Sequence, residues 1–326
     1  MATKDQILSL LLSCRGSFLS GEELAQSLGV SRAAVWKGMK ALREAGYEIE
    51  AQPNRGYCLK AGMDILSAQG VQGFLNTGKD LRLELRQSVS STNALLREQA
   101  AQGAPEGTVL LACAQSQGRG RLGRSFFSPA DTGVYISILL RPDYSSPAEA
   151  SKLTTLAALA ACQAVTELSG RQAGIKWVND IFLDGKKVSG ILTEASVSLE
   201  NGKLDYVVLG AGFNLYPPRE GFPEEIADSA GAVLDAPQDN GKNRMAAAFL
   251  NRFWALYREP GDYVAAYRER SLVLGRGIWV LTPQTRREAR ALSLDDSCGL
   301  VVEYPDGTRQ TLKAGEVRIR EKKGSM

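Results

Sequence analysis

Histidine is absent from all 326 residues. That removes Ser-His-Asp and Cys-His nucleophilic catalysis, phosphohistidine relays and His-based zinc sites. Chemistry must run on Lys, Arg, Asp, Glu, backbone dipoles and, where a metal takes part, a bound Mg²⁺. Cysteine is sparse: Cys14, Cys58, Cys113, Cys162 and Cys298 are odd in number and scattered. No pair has metal-ligand spacing, and a disulfide framework is not expected. There is no run of about 18 apolar residues and no basic-then-apolar leader, so a cytoplasmic protein with no membrane association is expected. Excess charge is also missing. A net +3 is too small for a chain coated in nucleic acid, so any DNA contact must be local. Hydrophobic content of 44% and charged content of 23% are ordinary for a globular protein, and 326 residues suggest two or three domains.

The most informative stretch is Gly118-Arg119-Gly120-Arg121-Leu122-Gly123-Arg124, preceded by Gln115 and followed by Phe126-Phe127-Ser128-Pro129. Three glycines keep the backbone unobstructed, and three arginines aim guanidinium forks at a phosphate or carboxylate. Read literally, Gly118-x-Gly120-x-x-Gly123 matches a dinucleotide fingerprint. That fingerprint needs a helix to follow and an acidic residue about twenty positions on, and neither is present. Nor does the stretch end in the Gly-Lys-Ser/Thr of a phosphate-binding P-loop. A flexible basic surface loop is the plain alternative. Its position between two strand-like runs, 108–114 and 134–140, favours a mobile anion-clamping loop inside an α/β domain.

Residues 1–62 pattern as three short helices and a hairpin. Ile7, Leu8, Leu10, Leu11 and Leu12 give the first helix an apolar stripe ending near Gly16. Ser20 and Glu23 have capping-box spacing, opening a helix over 22–28 that Gly29 closes. Ser31 caps a third helix, 32–45, after a tight turn, which makes a helix-turn-helix. Ala33, Val35, Met39 and Leu42 are expected inside. Ser31, Arg32, Lys37, Lys40 and Arg43, with Arg55 in the wing-like hairpin around Gln52-Pro53-Asn54-Arg55, are candidates for DNA contact. Lys and Arg exceed Asp and Glu by only 8 to 6 over residues 1–60, so charge alone leaves a small helical interaction module open. The ordered capping box, turn, basic helix and wing favour a winged helix-turn-helix.

Residues 63–80 pattern as a short helical linker. A central domain, 81–270, begins with a strand at 81–87 and Ser91-Thr92-Asn93. Ser91 and Thr92 can cap the following helix or hydrogen-bond a ligand at its N-terminus. An Ala/Leu-rich helix over 151–168 is expected to pack across the sheet. Lys176-Trp177-Val178-Asn179-Asp180 then leads into a hairpin turned at Asp184-Gly185. Strand alternation puts Lys187 and Ser189 on one face and Val188 on the other. Gly190, Gly210 and Gly212 leave room beside the backbone, although hairpin lysines are more commonly just solvated. Residues 271–326 pattern as a small all-β, barrel-like domain, with strands at 277–281, 300–304 and 311–313.

Taken together, the Gly118–Arg124 motif, Lys176-Trp177-Val178-Asn179-Asp180 and Lys187-Val188-Ser189-Gly190-Ile191-Leu192 resemble the biotin–protein ligases that also repress the biotin operon. The resemblance runs over the whole length in the same domain order. It implies a multidomain α+β protein: winged helix-turn-helix, a central domain of the class II synthetase and biotin–lipoate ligase type, and a C-terminal SH3-like β barrel. It implies Ser91, Thr92, Asn93 and Gln115 around biotin. Arg119, Gly120 and Arg121 would fold over biotin and the adenylate phosphate, and Lys187 would sit near the activated carboxylate. Gly190, Gly210, Gly212 and Asn214 would frame the pocket floor, and Lys176, Asn179 and Asn214 would attend the ATP phosphates. ATP and biotin would be substrates, with Mg²⁺ brought in without a direct protein cage. Partners would be a biotin carboxyl carrier protein, operator DNA, and a second copy of the chain once adenylate is bound.

Three positions depart from the familiar pattern. Leu122 stands where some relatives are basic, Phe126 where tryptophan is familiar, and 285–297 is an unfamiliar version. The implied chemistry suits a histidine-free site, because the biotin carboxylate is itself the nucleophile on the ATP α-phosphate. Arg119, Arg121 and Lys187 would align the reactants and neutralise charge. Two rivals are a non-enzymatic repressor sensing NAD or a sugar phosphate, and a lipoate–protein ligase of the same fold.

Overall fold

The computed structural model describes residues 2–14, 16–142, 150–197, 204–282 and 285–320. The chain opens with α1 (Thr3–Ser13), α2 (Gly21–Leu28) and α3 (Arg32–Glu44), followed by a hairpin of β1 (Ile49–Gln52) and β2 (Gly56–Leu59). The expected caps form. Ser20 Oγ accepts from Glu23 N at 3.0 Å while Glu23 Oε2 accepts from Ser20 N at 2.7 Å. Gly29 ends α2 in the left-handed region at φ 63, where glycine has no Cβ penalty. Ser31 caps α3, accepting from Ala34 N at 3.2 Å. Ile7, Leu8, Leu11, Leu24, Val35, Met39 and Leu42 form the core of this domain. Each such burial contributes roughly 1.5–3 kcal/mol. Ala33 is exposed rather than inside, and Gly38 takes an inner position against Ile7.

The expected linker is part of the next domain's core. It contains α4 (Ala68–Gln72), and Leu66, Val71 and Leu75 are buried in the main hydrophobic cluster. The central domain continues with β3 (Arg82–Arg86), α5 (Thr92–Ala101), β4 (Thr108–Ala112), β5 (Gly133–Leu140), α6 (Ala150–Ser169), β6 (Gly174–Lys176), β7 (Asp180–Leu183), β8 (Lys186–Val197), β9 (Leu204–Asn214), α7 (Glu224–Ala227), α8 (Gly241–Arg258) and α9 (Tyr263–Glu269). Among the described residues its sheet has the order β3-β4-β5-β9-β8-β7-β6. Only β3 and β4 run parallel.

Alternation along the strands divides the burial between two faces. Val109, Leu111, Ile136, Ile138, Val207 and Leu209 join α6 and α8 in the main core. Leu110, Leu139 and Val208 turn the other way, under Leu96 and Ala100 of α5. That second face is covered only in part.

Asp184 and Gly185 both have positive φ, 49° and 79°, as a tight two-residue hairpin requires. Strict alternation fails just beyond it. Ile181 pairs with Ser189 but Phe182 pairs with Lys187, so the register slips at Val188. The bulge leaves Ser189 fully buried while Lys187 lines a cleft.

The last domain holds β10 (Gly277–Leu281), β11 (Arg286–Leu294), β12 (Leu300–Glu303), β13 (Arg309–Leu312) and β14 (Glu316–Ile319). A barrel-like domain is expected here; the sheet order is β13-β12-β11-β10-β14, and among the described residues no pairing joins β13 to β14, so the sheet is not closed. The unfamiliar 285–297 segment is mostly β11. Residues 321–326 of this expected domain lie outside the described residues. The sheet is fastened to the central domain by Trp177 Nε1, which donates to Cys298 O at 2.8 Å, and by a shared apolar core. Among the described residues no helix is long and apolar enough to cross a membrane.

Candidate active site

The uncovered half of the second sheet face is where the site forms. Gly190 of β8 pairs with Gly212 of β9, which pairs with Tyr135 of β5; Leu192, Gly210 and Ser137 make the next row. Three glycines in adjacent rows leave a trough where side chains would otherwise stand. A β-carbon at 210 would lie 2.3 Å from Asn93 Oδ1, and one at 212 would lie 2.5 Å from Phe126 Cε1. One wall is the start of α5. Ser91 Oγ faces Ala94 N at 3.5 Å as the cap, and Thr92 donates through both N–H and Oγ1–H to Gln115 Oε1, at 2.8 and 3.0 Å. Gln115 Nε2 in turn donates to Ser128 Oγ at 3.0 Å.

The other wall is the glycine–arginine segment, which folds as a lobe. Phe126 N bonds Gly118 O at 2.8 Å and Gly120 N bonds Arg124 O at 2.7 Å, around a short turn at Arg121–Gly123. No long helix follows Gly123, which removes the dinucleotide reading. Leu122 is 70% exposed at the tip and has φ 56°. The cleft between these walls is open to solvent.

A second open cleft continues from the first, sharing Gly120, Arg121, Phe126, Asn179 and Lys187. It adds Lys176, Asp180 and, from the C-terminal sheet, Glu316. Lys187 Nζ lies 2.6 Å from Asp180 Oδ1. Arg121 Nη1 donates to Asn179 Oδ1 at 2.9 Å, and Asn179 Nδ2 donates to Ile191 O at 2.9 Å. Arg124 pairs with Glu316. Burial lowers the pKa of Lys176, with the charges of Asp180 and Glu316 opposing it. Burial likewise lowers that of Arg121. Burial pushes the Glu316 carboxyl up, but the Arg124 hydrogen bond and the charges of Arg124, Arg318 and Lys176 outweigh it, leaving its pKa lowered. Three cations, Lys176, Lys187 and Arg121, thus gather around Asp180, with Glu316 as a second carboxylate acting on Lys176 and Arg121. Their partly desolvated charge is suited to a polyanion.

Most expected residues meet here. Ser91, Thr92, Asn93, Gln115, Arg119, Gly120, Arg121, Asn179, Lys187, Gly190, Gly210 and Gly212 line the first cleft, and Lys176 lines only the second. Two expectations change. Asn214 lines neither cleft, and its amide donates to Gly231 O at 3.2 Å. Asn93 reaches the cleft, but its amide is committed inside the protein. It accepts from Ser137 Oγ at 2.6 Å and donates to Glu194 Oε2 at 2.8 Å, so it holds α5 against the sheet. Tyr135, Ile136, Ile191, Leu192 and Ala211 also line the cleft and were missed, because within apolar strands they carry no mark separating them from core residues. Glu316 was missed because its strand was not recognised. On the N-terminal domain, Arg32, Lys37 and Lys40 are exposed along α3. The Arg43 guanidinium instead donates to Ile49 O at 2.9 Å, and Arg55 stacks 4.3 Å over Phe18.

A pocket of this make-up on such a sheet, beside a helix-turn-helix, defines an acid-activating ligase domain with a DNA-binding head. Residues 85–214 match the Biotin/lipoate A/B protein ligase family, and residues 3–58 match an HTH domain. The chain is 32% identical over 320 residues to the bifunctional ligase/repressor BirA of Bacillus subtilis, covering 95% of this chain and 97% of that one. The corresponding protein of Escherichia coli is 27% identical over 317 residues, covering 95% and 96%. Among solved structures, the biotin protein ligase of Aquifex aeolicus in complex with biotin and ATP superposes with a TM-score of 0.60 at 24% identity. That match covers 74% of this chain and 99% of the other, and is a likeness of fold. The chain belongs to the family of BirA bifunctional ligase/repressors.

Proposed function

We infer that this protein activates biotin with ATP to biotinyl-5′-AMP and transfers the biotinyl group to a lysine of a biotin carboxyl carrier protein. It also acts as a DNA-binding repressor of biotin genes that responds to the adenylate. The observation that carries the ligase reading is the glycine trough opening directly into the cation cluster. An uncharged bicyclic ring fits a trough without side chains, and a triphosphate fits Lys176, Lys187 and Arg121.

The biotin carboxylate attacks the α-phosphorus; the P–O bond to the β-phosphate breaks and pyrophosphate leaves. The carrier lysine amine then attacks the acyl carbon, forming the amide and releasing AMP. In this reading Lys187 and Arg121 sit where charge develops, and Arg119, exposed on the lobe, closes over the anhydride and keeps water out. Asn179 orients Arg121, and Ser91, Thr92 and Gln115 bind the ring system. Among the described residues no three His, Cys, Asp or Glu side chains cluster as a protein metal cage would need. The residues present fit a Mg²⁺ ion carried on the nucleotide, with Asp180 and Glu316 the carboxylates lining that cleft; Mg²⁺ would supply charge neutralisation on the phosphates.

The C-terminal sheet is read as an SH3-like domain, on its antiparallel strands and short connections. Adenylate-dependent pairing of two copies would set two α3 helices on a palindromic operator. ATP and DNA as ligands suit a cytoplasmic location.

The test is pyrophosphate release with Mg-ATP and either biotin or lipoate, reading product mass in parallel. Biotin-dependent release with a biotinyl-adenylate mass is expected. Release with lipoate alone would reassign the substrate, and release with neither acid would overturn the ligase reading.

A further inference from the structure

Trp36 is 59% exposed, on the outer side of α3. Isolated surface hydrophobics are ordinary, but this one differs from every other tryptophan in the chain. Trp177 is buried with its indole N–H on Cys298 O. Trp254 lies between Tyr257 and Arg258, and Trp279 lies 4.0 Å beneath the Arg286 guanidinium. Among the described residues Trp36 has no ring, cation or hydrogen-bond partner. Arg32, Trp36 and Lys40 recur every fourth residue and so line one side of the helix. Ala33 and Lys37, both exposed, stand beside them. Arg43, which would extend the basic side, is tied to Ile49 O. A helix of this kind fits a major groove, where the thymine 5-methyl is the apolar group on the base edges.

We propose that Trp36 is a sequence-reading residue: its indole packs against thymine methyl groups in the major groove, while Arg32, Lys37 and Lys40 hold the flanking phosphates. Small Ala33 lets the helix sit deep enough for the ring to reach. This rests on the repressor reading above and names the base chemistry that the repressor recognises.

The experiment uses the full chain with biotin and Mg-ATP. Duplexes are selected from a randomised pool, and affinity for the best duplex is compared with that for the same duplex carrying deoxyuridine in place of thymidine, which removes only the methyl. The native protein is expected to bind the deoxyuridine duplex more weakly, by roughly three- to fivefold for each contacted methyl, the transfer free energy of one buried carbon. Trp36→Ala should bind the thymidine duplex more weakly and bind the two duplexes within about twofold of each other. Trp36→Phe, which keeps an apolar ring, should retain part of the methyl sensitivity. A Trp36→Ala protein as sensitive to the replacement as the native one would overturn the proposal and leave the repressor reading standing. Failure to enrich any duplex would overturn the repressor reading itself.

Discussion

At position 212 a β-carbon would press on the Phe126 ring, and at position 210 on the Asn93 amide. The two substitutions should therefore fail differently. Gly212→Ala displaces the aromatic ring that borders the trough, and should weaken biotin binding by about tenfold, roughly 1.4 kcal/mol, with little change in melting temperature. Gly210→Ala pushes on a buried, fully hydrogen-bonded strut and should lower both. Calorimetric titration with biotin and a thermal melt separate the two. Lys187→Ala should cripple adenylate synthesis, while Arg119→Ala should leave synthesis largely intact and speed loss of the bound adenylate. Retention and formation equal to the parent in both variants would remove those roles.

Asp64 offers a pH test. Burial raises its pKa above the ordinary 3.8, against the Tyr216 and Lys242 hydrogen bonds. The folded state then holds the proton to higher pH than the unfolded chain, so stability falls as pH rises from 3.8 through the raised value. Asp64→Asn should flatten that slope in melting temperature against pH. A slope identical to the parent's would contradict it. At this scale the glycines and cations of the site were legible, because their chemistry is local. The bracing role of Asn93 was not legible, because its partners, Ser137 and Glu194, lie far along the chain.

The elements follow local rules to differing degrees. The Ser20–Glu23 capping box, Gly29 and the Ser31 cap could be read from the chain because each bond spans three or four residues. Ser20→Ala should lower stability by about 1 kcal/mol, measurable by chemical denaturation. The bulge at Val188 was not legible. Period-two alternation assumes an unbroken ladder, and the slip is set by how β7 and β8 pair. Strands β11 and β14 were missed for a related reason. Arg286-Arg287-Glu288 and Glu316-Val317-Arg318 are polar where they face solvent, and only their neighbours make them strands. The Arg124–Glu316 pair ties β14 to the glycine–arginine lobe, bringing a residue of the last domain to the cleft.

In the whole molecule, the junction between DNA-binding head and ligase is a fastened segment. Asn240 N bonds Met63 O, Asp64 accepts from Lys242 N and Tyr216 OH, and Asn243 Oδ1 accepts from Ser67 N. We therefore place the boundary before residue 63. A chain beginning at 63 should keep biotin-adenylate synthesis and lose DNA binding. One beginning at 81 should fail to fold, because Leu66, Val71 and Leu75 would be removed from the main core. Equal solubility and melting temperature of the two truncations would refute that boundary.

The sequence by itself determined the domain order, the helix-turn-helix with its caps, the cationic, glycine-rich character of the loop, and the exclusion of histidine chemistry. Each of these depends on residue type and short spacing. Only the tertiary structure decided that the linker is core, that the last sheet stays open, that Asn93 is a strut and Asn214 stands apart, and that Lys176, Lys187 and Arg121 gather around Asp180. Those outcomes depend on groups far apart in the chain meeting at a few ångströms, a distance no local pattern encodes.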